Sequence, residues 1–153
     1  MTNSNQIQKI ACRGIIIDQG QILTVKLKPT DDFYCLPWGK LDMMETLEDC
    51  IVREIHEELN ILPIVGPMLF VNQWLLKKYN IHMIEFFYII TNGWDFRHVD
   101  LTNTSHGFEI YEVHWLDLGN TTTNLLPSFV LEHLQGKTIE QMMDMWTQSV
   151  VSH

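Results

Sequence analysis

The chain has 153 residues, 46% hydrophobic and 19% charged, a length and balance that suit one globular domain with its own core. Its formal net charge of -9 argues against a nucleic-acid backbone as partner. The longest uninterrupted apolar run, Phe86 to Ile90, falls far short of the roughly 20 residues that a membrane span needs. Cys12, Cys35 and Cys50 form no Cys-x-x-Cys pair, and the polar start has no apolar signal core, so the reading is a cytoplasmic protein with buried thiols.

Residues 1–8 read as a loose polar start. Ile10 to Asp18 is apolar and β-branched, with Arg13 and Gly14 inside it, and the run Asp18-Gln19-Gly20-Gln21 predicts a turn into a second hairpin strand, Ile22 to Leu27. Pro29 to Asp32 is a loop, and Tyr34 to Trp38 a short strand leading to Gly39. Thr46 to Leu59 predicts a helix: Thr46 and Asp49 have the spacing of a capping box, and Ile51, Ile55 and Leu59 share one stripe. Pro63, Gly66 and Pro67 end helical structure. Met68 to Leu76 and Ile81 to Thr91 predict neighbouring strands, Asn92 to Gly107 a polar loop, and Glu109 to Leu116 another strand. Pro127 to Leu134 predicts a helix stopped at Gly136, and Thr138 to Val151 a last, Met-rich helix within 137–153. The expected architecture is α/β of the α+β kind, an α/β/α sandwich around a mixed sheet in a single domain, 1–153. The last helix, with Met142, Met143, Met145 and Trp146, either docks on its own domain or serves a homodimer contact.

The chemistry concentrates in Gly39 to Ile61. Residues three and four apart are neighbours on a helix, so Glu54, Glu57 and Glu58 crowd one face beside the apolar stripe. Such a cluster is costly unless a cation neutralises it, and oxygen-only ligands suit Mg²⁺ or Mn²⁺. The bland alternative is a solvated acidic helix face. Arg53, one turn before Glu57, is placed to hold a neighbouring carboxylate, and the loop from Gly39 can approach a ligand through its backbone.

The full spacing decides between these. It runs Gly39, five residues, Glu45, seven residues, then Arg53-Glu54-Ile55-His56-Glu57-Glu58-Leu59-Asn60-Ile61. This resembles the Nudix box, Gly-x5-Glu-x7-Arg-Glu-U-x-Glu-Glu-x-Gly-U with U aliphatic. One fixed position departs: Asn60 stands where the last glycine is usual, and Asn is the next-best residue for the left-handed backbone expected there. Trp38 and Met44 also stand where relatives often carry glycine. The resemblance covers roughly residues 8–136.

It implies a Mg²⁺- or Mn²⁺-dependent hydrolase that cleaves the diphosphate bond of a small nucleoside diphosphate derivative: a nucleoside triphosphate, a nucleotide sugar or an ADP-ribose type. By the resemblance, Glu54, Glu57 and Glu58 hold the metal, and Glu45 pairs with Arg53 to brace the loop. The general base is Glu57 or a later glutamate, Glu109, with Glu112 as its rival. Trp38, Gly39, Lys40 and Arg13 belong to the substrate side, Arg13 reaching a phosphate or, equally, forming an edge-strand ion pair. Trp74 and Trp94 are weaker candidates for stacking on a base. The alternatives are a non-catalytic nucleotide-binding module of the same fold and an isoprenoid diphosphate isomerase, for which Cys35 would be the candidate cysteine. The helical His56-Glu57-Glu58-Leu59-Asn60 lacks the second histidine of a zinc protease.

Overall fold

A computed structural model describes residues 6–119 and 122–145. Strand β1 (Ile7–Asp18) is its axis. Seven successive residues from Ala11 to Ile17 are buried, as expected of a strand covered on both faces. At one end β1 turns through Gln19 and Gly20, both at positive φ, into β2 (Gln21–Lys26). Along its other edge β1 runs parallel to β6 (Ile81–Ile90), in continuous register from Ile7↔Ile81 to Ile16↔Ile90. β6 pairs antiparallel with the outer strand β5 (Val65–Leu76). β5 starts earlier than the sequence predicts and absorbs Gly66 and Pro67 at shifts of register, which an edge strand tolerates because it has an unpaired side.

The single strand expected over Tyr34 to Trp38 is two short ones. β3 (Tyr34–Cys35) pairs with β2, and β4 (Trp38–Lys40) pairs with β1 across Cys12↔Gly39 and Arg13↔Trp38. The intervening Pro37 cannot donate to a ladder, so the chain changes partner there and delivers Gly39 to the middle of β1. β7 (Glu112–Asp117) lies antiparallel to β2, and β8 (Leu125–Leu126) parallel to β3. The curled sheet is therefore mixed.

Its two faces carry separate cores. One gathers Ile15, Phe87 and Ile89 with Val130, Leu131 and Leu134 of α2 (Phe129–Leu134) and Met142 of α3 (Ile139–Met143). The other gathers Cys12, Ile16, Tyr88 and Ile90 against Cys50, Ile51, Ile55 and Leu59 of α1 (Leu47–Leu59). The α/β/α layering and the Ile51/Ile55/Leu59 stripe are thus as the sequence predicts. Met142 and the half-buried Met145 dock the start of the C-terminal segment onto its own domain; Trp146 and the expected continuation to Val151 lie outside the described residues. The loop after β6 is not irregular throughout but folds into short 3-10 turns at Gly93–His98, Leu101–Asn103 and Gly107–Glu109. Glu109, expected to begin a strand, ends the last of these.

Candidate active site

Helix α1 is positioned from both ends. The Thr46 hydroxyl accepts from the Asp49 N–H at 3.1 Å and donates to the Asp49 carboxylate at 2.7 Å, satisfying part of the helix start. Asn60 closes the other end with φ 55° and ψ 30°, its N–H donating to the His56 carbonyl at 2.9 Å. In the middle, the helix lies against β1 at Gly14, where a Cβ would stand 2.7 Å from Ile55 Cδ1. A second close approach explains the box glycine. A Cβ on Gly39 would fall 1.8 Å from Glu54 Cδ, so only glycine lets β4 pass that side chain.

Arg53 organises the loop between β4 and α1. Its Nε and Nη2 grip the two oxygens of Glu45 at 2.7 and 2.9 Å, and Nη2 donates to the Lys40 carbonyl at 3.0 Å. Glu45 in turn accepts from the Asp42 N–H at 3.0 Å. The guanidinium holds the Glu45 carboxyl well below its ordinary range, at about 2. Arg53 Nη1 then points to the helix: it lies 2.7 Å from Glu54 Oε1 and 3.3 Å from Glu57 Oε2.

The three helix glutamates have distinct surroundings. Glu57 is the most accessible and is shared between Arg53 and His106, whose Nδ1 stands 3.2 Å from Glu57 Oε2. Glu54 is deeper, and burial pushes its carboxyl up from the ordinary value. Glu58 is only 5% exposed, and its Oε2 is buried without a hydrogen-bond partner among the described residues. Burial first and the Glu54 charge second push its carboxyl up to about 8, against the opposing pull of the Trp38 backbone hydrogen bond and of Arg13. No three His, Cys, Asp or Glu side chains among the described residues converge in a preformed metal-ligand geometry; Arg53 draws Glu54 and Glu57 to itself instead.

Glu109 joins this group and Glu112 does not. Glu109 lines the same 370 Å³ cleft as Glu54, Glu57 and Glu58, together with Trp38, Gly39 and Lys40. Its negative charge contributes to the upward shift of Glu58. Glu112 faces His114 from β7 at 4.0 Å and is absent from the cleft wall. The loop bearing Glu109 is tied to the last turn of α1: the His106 N–H and the Ser105 hydroxyl donate to the Glu57 carbonyl at 3.0 and 3.4 Å. Carbonyls at a helix C-terminus lack partners within the helix, so this docking is a natural use of one. His106 is the cleft residue that the sequence reading missed. No spacing flags it, since the contact joins residues 49 positions apart through a loop.

Of the two roles the sequence left open for Arg13, the ion pair forms, although not at a sheet edge. β1 is interior, not an edge strand, and Arg13 forms a buried ion pair with Glu85, Nε and Nη2 lying 2.7 and 2.6 Å from Glu85 Oε1. Instead of the acidic cleft, Arg13 lines a second cavity of about 450 Å³, walled by Leu27, Phe33, Trp38, Trp74 and Leu126. Trp38 and Leu27 belong to both cavities, so the acidic cleft and the aromatic cavity adjoin across them. Trp74 is in this wall, whereas Trp94 is 63% exposed and lies elsewhere. Cys35 also lines it, but burial pushes its thiol up to about 11, the opposite of an activated cysteine.

A carboxylate-rich helix braced by arginine to a glycine loop, on a mixed sheet between helices, defines the site of this α+β protein. The model of the Nudix domain matches residues 8–131, and the chain belongs to that family as a pyrophosphohydrolase. It is 29% identical over 126 residues to an ADP-ribose pyrophosphatase of Methanocaldococcus jannaschii, covering 81% of this chain and 68% of that protein. Among solved structures it is similar to a MutT Nudix hydrolase from Burkholderia pseudomallei, with a TM-score of 0.68 and 22% identity over 85% of this chain and 98% of that one. It is also similar to the E. coli ORF135 protein, with a TM-score of 0.63 and 17% identity over 96% and 95% of the two chains. The likeness to both structures is one of fold.

Proposed function

We propose that this protein hydrolyses the diphosphate bond of a nucleoside diphosphate derivative, with a divalent cation, Mg²⁺ or Mn²⁺, held by Glu54, Glu57 and Glu58. The observation that carries this reading is the pair of adjoining cavities: one end is lined by carboxylates, the other by flat aromatic rings, with Trp38 common to both. A nucleotide has the same two ends. The donor set fits a hard cation, being oxygen only. Glu58 supports the fit directly, because its buried Oε2 lacks a partner and its carboxyl is held near neutrality, a state that a cation relieves. When bound, such an ion supplies charge neutralisation for the diphosphate and a more acidic water.

The chain's own groups do the rest. Trp38 and Trp74 hold the base, and the Gly39 backbone and Lys40 border the diphosphate. Arg53 keeps Glu54 and Glu57 at a fixed separation from the loop, and Glu45 fixes Arg53. Water attacks one phosphorus, its proton passes to a Glu57 carboxylate oxygen, and the second phosphate leaves with its substituent. Glu109 is the rival base, since it faces the same cleft from the opposite loop. His106 Nδ1 positions Glu57.

A hydrolysis panel of nucleoside triphosphates, nucleotide sugars, ADP-ribose and dinucleoside polyphosphates tests this, with Mg²⁺, with Mn²⁺ and with EDTA. Release of a mononucleotide that EDTA and Glu57→Gln both abolish is the expected result. Turnover that survives in EDTA overturns the metal assignment, and full activity of Glu57→Gln overturns its role.

A further inference from the structure

We infer that the buried Arg13–Glu85 pair reads the edge of the nucleobase. It selects a lactam, a carbonyl oxygen beside a ring N–H as in guanine, hypoxanthine or uracil, over the amino edge of adenine or cytosine. The inference rests on the aromatic cavity being the base-holding end of the proposed nucleotide site.

The pair is buried but incompletely used. Arg13 is 9% exposed and Glu85 1%. A carboxylate that only neutralises a buried arginine usually meets it through both oxygens. Here Arg13 Nε and Nη2 both converge on Glu85 Oε1, at 2.7 and 2.6 Å. Among the described residues, Glu85 Oε2 has one long contact, 3.5 Å from Asn72 Nδ2, and Arg13 Nη1 is buried with no hydrogen-bond partner. Leaving a charged donor and a carboxylate oxygen undersatisfied in the interior is costly. Both residues, and Asn72, line the cavity walled by Trp38 and Trp74. The guanidinium also lies over the Trp38 ring, 5.2 Å from its centroid, and both residues line the cavity.

A ligand that completes this wall offers an acceptor to Nη1 and a donor to Oε2, in one plane, between aromatic rings. A phosphate does not qualify, because Glu85 already neutralises the arginine and repels a second anion. A lactam edge qualifies: its carbonyl takes the arginine donor and its ring N–H takes the carboxylate. The amino edge presents a poorer acceptor, a ring nitrogen, and a less acidic donor, an amine. Guanine adds its exocyclic amine beside the ring N–H and is the best match. Sites that hydrogen-bond a substrate group discriminate far more strongly than apolar pockets do.

The test is titration of the metal-free protein in EDTA with GMP, UMP, AMP and CMP, followed by tryptophan fluorescence. All four carry the same phosphate, so differences report the base. GMP and UMP are expected to bind about tenfold or more tighter than AMP and CMP. Trp74→Phe should remove most of the quench. Glu85→Gln replaces the acceptor oxygen with an amide that also donates, and should bring the ratio near one or invert it. Because that variant leaves Arg13 buried beside a neutral partner, the double change Arg13→Met with Glu85→Met, checked for folding by circular dichroism, provides the second arm and should also lose the preference. Equal affinity for the four nucleotides, no binding, or a preference retained in the folded double variant overturns the inference. Diphosphate hydrolysis without base preference sinks this inference alone. Base-selective binding without turnover on any diphosphate sinks the proposed hydrolysis alone.

Discussion

Replacing Glu58 with glutamine isolates the least satisfied group of the site. In the metal-free protein the Glu58 carboxyl titrates at about 8, against an ordinary value of 4.5 in the unfolded chain. Between those pH values the folded state binds the extra proton, so stability falls as pH rises. The contribution is fully present below about pH 4.5 and is lost by the time pH has passed about 8. The loss accrues at about 1.4 kcal/mol per pH unit, so at pH 7 the wild type carries a penalty of about 3 kcal/mol from this one group. Glu58→Gln is neutral throughout and escapes it. Urea unfolding in EDTA at pH 5, 6, 7 and 8 should therefore show the variant gaining on the wild type with each step. Mg²⁺ should close the gap from the other side: it stabilises the wild type more than Glu58→Gln and releases about one proton per chain near pH 7, measurable by calorimetry in buffers of different ionisation enthalpy. A difference between the two proteins that stays constant from pH 5 to 8 would refute the reasoning, because it would mean that Glu58 is ionised in the folded state as readily as in water.

Arg53→Ala removes the grip on Glu45, Glu54 and Glu57 together and should cost about 2 kcal/mol in urea unfolding and most of the turnover. Arg53→Lys should not restore activity, since a single ammonium cannot replace the two-pronged hold on Glu45. Gly39→Ala places a methyl onto Glu54 and should lower kcat by about a hundredfold or more while circular dichroism stays native, since β4 can retreat only by moving the loop. Asn60→Ala should destabilise the protein by about 1 kcal/mol through its left-handed backbone, with kcat unchanged, and Asn60→Gly should be neutral or better. A large kcat loss in Asn60→Ala would show that the helix end is coupled to the site.

Helix α1 was legible because local chemistry and long-range packing agree there. Thr46, the Ile51/Ile55/Leu59 stripe and Asn60 each announce a cap, a buried face and a stop, and the structure places each accordingly. The two-strand split at Pro37 was less legible: Tyr34 to Trp38 looks like one strand because the partner change depends on β1 and β2 lying beside it. Arg13 could not be assigned between its two readings for a related reason. Its neighbours in sequence do not reveal that β6 lies parallel to β1 and brings Glu85 across, 72 residues away. Glu109 and Glu112 differ by three positions, and only the turn at Gly107–Glu109 decides which one faces the helix.

The same contrast explains why the box is spaced as it is. Gly39, Glu45 and Arg53 do not meet a substrate through three independent contacts; they form one mechanical unit. Gly39 lets β4 pass Glu54, the loop carries Glu45 back to the helix, and Arg53 spans loop and carboxylates with one planar group. Lengthening the loop by a residue would break the Glu45 pairing, and shifting Arg53 along the helix would turn it about 100° away from Glu54 and Glu57. The spacing therefore constrains geometry rather than any one residue's chemistry. Asn60 and Met44, in positions where glycine is usual, keep a left-handed backbone at φ 55° and 64°. Trp38, at another such position, lines both the acidic cleft and the aromatic cavity, which on the proposed reading makes it a base-side wall that the box itself does not specify.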